Sequence, residues 1–164
     1  MDVQLIPFVL FAGLLAIASF FDVAYRIIPN WVCGAVLLLG LVVNVVLSGA
    51  DGAMSALAGL GLGLFVFLPF YVMRMMGAGD VKLMAAVGAY LGPVATVNAI
   101  AWTVIIGGVL GFAYLLRRMA PVIAPVLIRY TKAESSHLNY VPYGVAIAAG
   151  ALACQVQPLV EMSF

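Results

Sequence analysis

Charge is what this sequence has least of. Only 8% of its 164 residues are Asp, Glu, Lys or Arg, against about 25% in a soluble domain. That excludes a fully water-facing globular surface. There is no basic stripe and no aromatic platform, which excludes a nucleic-acid partner. The two cysteines, Cys33 and Cys154, lie far apart in apolar runs without a CxxC pair. They read as small core residues rather than a disulfide or metal site. The single histidine, His137, has no Cys or His neighbour, so neither a metal nor a cofactor is expected. Met1-Asp2-Val3-Gln4 lacks the positive charge of a secretory signal. What is present is hydrocarbon, with 66% of residues hydrophobic. The expected class is an all-α polytopic membrane protein forming one domain over 1–164, with the lipid bilayer as its solvent.

Six apolar runs follow one another. The first, Leu5 to Phe21, is near the lower limit of the ~17–25 residues that cross hydrocarbon. It ends in Asp22-Val23-Ala24-Tyr25-Arg26-Ile27-Ile28-Pro29-Asn30. Proline disfavours helix at the preceding residue, so Ile28 should be extended and Asn30 should cap the next helix. The second run goes from Trp31, an interfacial anchor, to Leu47. A turn over Ser48–Gly52 separates it from the third, Ala53 to Met73, whose Gly59, Gly61 and Gly63 suggest close helix packing. The fourth, Val81 to Leu91, is short for a span and breaks at Gly92-Pro93. The fifth is Val94 to Leu116. Arg117 to Lys132 has apolar residues at helical spacing and four basic ones, which reads as an amphipathic segment on the cytoplasmic membrane surface. Its Pro121 suits a first turn and its Pro125 should kink it. Ala133 to Asn139 is a loop, and Val141 to Val156 is the last run.

The basic residues give the orientation. Arg26 follows the first run, Arg74 and Lys82 flank the turn after the third, and Arg117, Arg118, Arg129 and Lys132 follow the fifth. Lys and Arg concentrate in cytoplasmic loops, so these three regions should face the cytoplasm and the N-terminus should face outward. Two spans separate Asp22 from Asp80. The chain therefore leaves one face and returns to it, which brings both acids to the same depth.

Asp80 lies in Gly77-Ala78-Gly79-Asp80-Val81-Lys82. An acid set among apolar residues at a membrane is a functional-site candidate, and glycines in front of it admit another backbone. Asp80 also suits a helix N-cap. Two close carboxyls in a poorly solvated place cannot both ionise cheaply, so one stays protonated while the other is charged. Such a pair can draw a proton from water and polarise a peptide carbonyl, as in aspartic proteases. The competing reading has each acid neutralised by a nearby base, Arg26 for Asp22 and Lys82 for Asp80. Under it the chain is a non-enzymatic transporter or assembly subunit.

Gly77-Ala78-Gly79-Asp80 resembles the GxGD motif of membrane-embedded aspartic proteases. Gly-Ala-Gly-Asp-Val-Lys-Leu at 77–83, Asp22 with Arg26 and Ile28-Pro29-Asn30, and Pro142-Tyr143-Gly144 through Gly150 together resemble the type IV prepilin peptidase family. The resemblance implies six transmembrane helices and an inner-membrane peptidase that removes a short leader from prepilins at the cytoplasmic face. Asp22 and Asp80 would be catalytic. Gly77, Gly79, Lys82, Arg26, Pro29 and Asn30 would bind substrate or shape the site, and the partner would be a prepilin with a basic leader. Larger bacterial members carry an N-terminal cytoplasmic region with four cysteines and often N-methylate the product. That region is not in this sequence, which points to the short peptidases of tight-adherence (Flp) pili. A bifunctional peptidase–methyltransferase and a preflagellin peptidase are the alternatives.

Overall fold

A computed structural model describes residues 5–74, 76–123 and 143–161. Those residues form helices α1 (Leu5–Tyr25), α2 (Asn30–Val72), α3 (Ala78–Ile123) and α4 (Tyr143–Glu161), with no strand among them. The stretch 124–142, with His137, the expected loop and most of the expected surface segment, lies outside the described residues. Long apolar runs become helices because only a helix satisfies all its backbone groups internally where water is excluded. α1, α2 and Ala78–Ala113 of α3 are each long and apolar enough to cross a membrane.

α2 and α3 are not straight rods. Each is interrupted at one glycine: Gly49 (φ 59°, ψ −131°) in α2 and Gly92 (φ 74°, ψ 173°) in α3. Positive φ suits glycine, which has no Cβ to clash. A Cβ on Gly52 would strike the carbonyl of Asn44, although eight residues of continuous helix would separate the two by roughly 12 Å. α2 therefore doubles back at Gly49. The turn expected over Ser48–Gly52 shrinks to that one residue, and Asp51 is helical. α3 doubles back in the same way: Gly92 packs near Ser55, while Gly107 has returned to Tyr143 at the start of α4.

The stretch from 78 to 91 is the centre of the bundle. Asp80, Val81 and every residue from Leu83 to Ala89 are buried, and between them only Lys82 faces out. A helix apolar on all sides belongs inside protein. Glycines let its neighbours close on it. Gly59 meets Gly88 backbone to backbone, Gly63 meets Met84, and Gly40 meets Tyr90. Gly61, expected to share this role, faces open space. Positions 59 and 63 are four apart and lie on one helix face, and 61 points elsewhere. Phe11 of α1 stacks on Tyr90 with ring centroids 3.9 Å apart.

Breaking α3 at Gly92 leaves the last carbonyls of this central segment without intrahelical donors. Side chains supply them. Asn44 Nδ2 donates to Ala89 O at 3.0 Å and Tyr90 O at 3.1 Å, and also to Gly40 O at 3.0 Å in its own helix. Thr96 Oγ1 donates to Gly92 O at 2.6 Å and lies 3.4 Å from Gly88 O. Asn44→Leu removes the donor and leaves two carbonyls facing hydrocarbon. It is expected to destabilise the bundle by about 1–3 kcal/mol, read as a lowered thermal midpoint in detergent, with Asn44→Gln losing less.

Several boundaries move relative to expectation. α1 continues to Tyr25, so Asp22 sits in its last turn rather than after it. The fifth run does not end at Leu116, because α3 continues through Arg117 and Arg118 to Ile123 with Pro121 inside it. α4 extends past Val156 to Glu161, with Pro158 inside it. Outward-facing residues are large and apolar, including Phe65, Val94, Val46 and Val72, as a lipid-facing surface requires.

Candidate functional site

Asp22 is 1% exposed. It projects from the last turn of α1, which closes at Arg26 in the left-handed region (φ 57°), where the Arg26 amide bonds to the Asp22 carbonyl at 3.0 Å. The carboxylate reaches across to α4. The Gly144 amide donates to its Oδ2 at 2.7 Å, and the Val145 amide follows it in the chain. Both amides belong to the first turn of α4, where N–H groups lack intrahelical acceptors and the helix end is positive.

Asp80 is likewise 1% exposed. It is the third residue of α3, and its Oδ2 accepts from the Gly77 amide at 3.2 Å. Gly77 in turn receives the first helical bond, from the Val81 amide at 3.4 Å. Asp80 is thus not the N-cap itself. It reaches back from the third helical position to the cap residue, as the acidic partner of a capping box does. Capping and burial coexist at this residue.

The segment between α1 and α2 packs onto the Gly77–Lys82 stretch. Ile28 lies between the helices and is buried, and its Cβ lies 3.1 Å from where a Gly79 Cβ would stand. Cys33 Sγ is 4.0 Å from the Gly79 carbonyl oxygen. Lys82 Nζ donates to Asn30 Oδ1 at 3.0 Å. Asn30 therefore does not cap α2. Pro29 occupies the cap position (φ −62°, ψ 136°) without a side-chain bond, and Asn30 spends its side chain on Lys82. Arg26 is exposed at the end of α1. These contacts gather the end of α1 and the starts of α2, α3 and α4 at one end of the bundle, with two buried carboxylates among four helix termini. Removing the Lys82 ammonium with Lys82→Met should cost at most about 1 kcal/mol. Adding Asn30→Ala to it should cost nothing more, as a double-mutant melting cycle would read.

Among the described residues no group of three His, Cys, Asp or Glu side chains could hold a metal ion. The arrangement offers two carboxyls, each oriented by backbone amides at a helix start, in surroundings otherwise apolar.

Residues 9–112 match the type IV leader peptidase family. The chain belongs to that family. Both acids fall within the matched region. The prepilin leader peptidase/N-methyltransferase of Legionella pneumophila is 33% identical over 119 residues, covering 69% of this chain and 42% of that relative. The chain thus spans less than half the length of the curated relative it matches. No solved structure matches it.

The structure brings the segments 22–30 and 77–82 to one end together with the start of α4. Gly144 and Val145 stand in the sequence as part of the family-like last-helix segment, but nothing there pairs Gly144 with Asp22. Cys33 carried no signal beyond being apolar. Residues 141 and 142, including Pro142, lie outside the described residues.

Proposed function

We propose that this chain is a membrane-embedded aspartic endopeptidase of the inner membrane that removes the short leader of type IV prepilins, of the Flp-like kind, at the cytoplasmic face. Asp22 and Asp80 carry the reaction. One, ionised, takes a proton from water as that water attacks the scissile carbonyl. The other, protonated, donates to the carbonyl oxygen. The pair titrates as a unit. The observation that carries this reading is the double burial: Asp22 and Asp80 are both 1% exposed at the same end of an apolar bundle, and the segment following Asp22 touches the one before Asp80 through Ile28 and Gly79. Lys82 donates to Asn30 at that end, and Arg26 is exposed there.

In this reading the interruptions at Gly49 and Gly92 divide the chain into six membrane spans, the fourth being the short central one. Arg26, Arg74 and Lys82 then lie on the cytoplasmic side and the N-terminus outside. The prepilin's apolar helix docks laterally from the bilayer with its basic leader in the cytoplasm. Ile28 fills the side of Gly79, 3.1 Å from where its Cβ would stand, so of the two glycines it is Gly77 that admits the scissile backbone beside Asp80 in this reading.

The test is cleavage by purified protein of a prepilin peptide bearing its leader, in detergent and without any ion gradient. Release of the leader supports the peptidase. No release, with proton or ion flux in vesicles instead, supports the transporter reading. Mass spectrometry of the new N-terminus reads N-methylation in the same experiment.

A further inference from the structure

The first turn of the last helix belongs to the machinery of the site. We propose that Gly144 is a positioning residue for Asp22, and that its amide fixes where the carboxylate stands. This rests on Asp22 being catalytic as read above.

Asp22 and Gly144 are 122 positions apart in the chain, yet their bond is buried and 2.7 Å long. Asp22 projects from a helix that ends one turn later, so its own element does not fix the carboxylate. The fixing group comes from α4, whose first-turn amides need acceptors and whose positive end favours a carboxylate. The contact satisfies both elements at once: α4 gains a cap from α1, and Asp22 gains a donor aimed at it.

Only glycine fits at this point. A Cβ on residue 144 would stand 2.7 Å from Asp22 Oδ2 and 3.0 Å from its Cβ and Cγ. The obstacle is the short, buried acid itself rather than the tip of a flexible chain. Any side chain at 144 therefore displaces Asp22 from the amide. A second glycine seats the helix that carries it. The Tyr143 ring lies 3.0 Å (Cε1) and 3.3 Å (Cδ1) from where a Gly107 Cβ would stand. Contact thus runs from Gly107 in the returning half of α3, through Tyr143, to Gly144 and Asp22.

The experiment compares Gly144→Ala, Gly107→Val, Asp22→Asn, Asp22→Gly and the double variant Asp22→Gly/Gly144→Ala, all in the purified full chain, by leader cleavage and thermal melting. Alanine is a better helix former than glycine. If residue 144 served only its helix, Gly144→Ala would melt no lower than the parent and would cleave normally. Positioning instead requires kcat to fall roughly 10–100-fold, as small misplacements of a reacting group do, with KM within about twofold. It also requires a fall in melting temperature that vanishes when residue 22 is glycine, because the three atoms nearest the added methyl all belong to the Asp22 side chain. Gly107→Val should lower the same kcat by a smaller factor. An unchanged kcat in Gly144→Ala, or an equal melting shift in both backgrounds, overturns the positioning role. Normal cleavage by Asp22→Asn overturns the catalytic reading instead, and the melting comparison still decides the contact by itself.

Discussion

Asp22→Asn and Asp80→Asn are each expected to lower the rate of leader cleavage by roughly 10²–10⁴-fold, the range that a positioned proton donor or acceptor supplies. The substitution is close to isosteric. An asparagine carbonyl at 22 still accepts from the Gly144 amide, and one at 80 still accepts from the Gly77 amide, so both caps persist. Each variant should therefore accumulate and melt close to the parent. The double variant should be no slower than the slower single, because two groups that act as a unit do not contribute additively. Time courses of leader release resolved by mass read all three. A single variant that cleaves at the parental rate removes its residue from the chemistry.

Gly59→Leu and Gly88→Leu should yield no folded protein. A Cβ on either glycine runs into the backbone of the other's helix: at 59 it meets the Gly88 carbonyl, and at 88 it meets the Gly59 carbonyl, with the Gly59 carbonyl carbon 2.7 Å away. Overpacking that side chains can absorb costs about 1–3 kcal/mol. Here neither partner has a side chain to move, so the helices themselves must part. Even Gly88→Ala should lose roughly 3 kcal/mol or more. Gly61→Ala and Gly13→Ala are the contrast, because nothing lies within 4 Å of either added methyl. Replacing glycine inside a helix there should be neutral or stabilising by up to ~1 kcal/mol. Yield from membranes and thermal midpoints separate the two groups of variants. Equal behaviour of Gly59→Ala and Gly61→Ala would refute the packing described.

Much of this arrangement was legible because charge is so scarce. In an apolar chain each acid or base stands out, and Gly49 and Gly92 were marked by the polar or proline-bearing residues beside them. Helix boundaries were less readable. Arg117 and Arg118 look like a stop, yet charge at the end of a long helix costs little once it reaches water, and α3 runs on. Asn30 looked like a cap because asparagine is good at that position, but a lysine fifty-two residues later claims its oxygen. Asn44 was invisible for a related reason. A lone asparagine in a hydrophobic run has no local pattern, and its partners, Ala89 and Tyr90, become acceptors only once Gly92 has broken their helix. The same holds for Gly144. Its glycine can be read from the sequence, but the carboxylate it makes room for lies at the other end of the chain.

The grip of Asn44 on the central segment also bears on how the chain is made. Residues 78–91 amount to roughly 21 Å of helix, against ~30 Å of hydrocarbon, with an acid at one end and open carbonyls at the other. Such a piece is poorly suited to stand alone in lipid. Everything that receives it along α2, namely Gly40, Asn44, Gly59 and Gly63, leaves the ribosome before it does. The nascent α2 hairpin is thus a ready berth for the segment that follows. A permuted gene in which 78–91 is translated ahead of α2 would deliver the segment before its berth exists, and would be expected to stall at insertion.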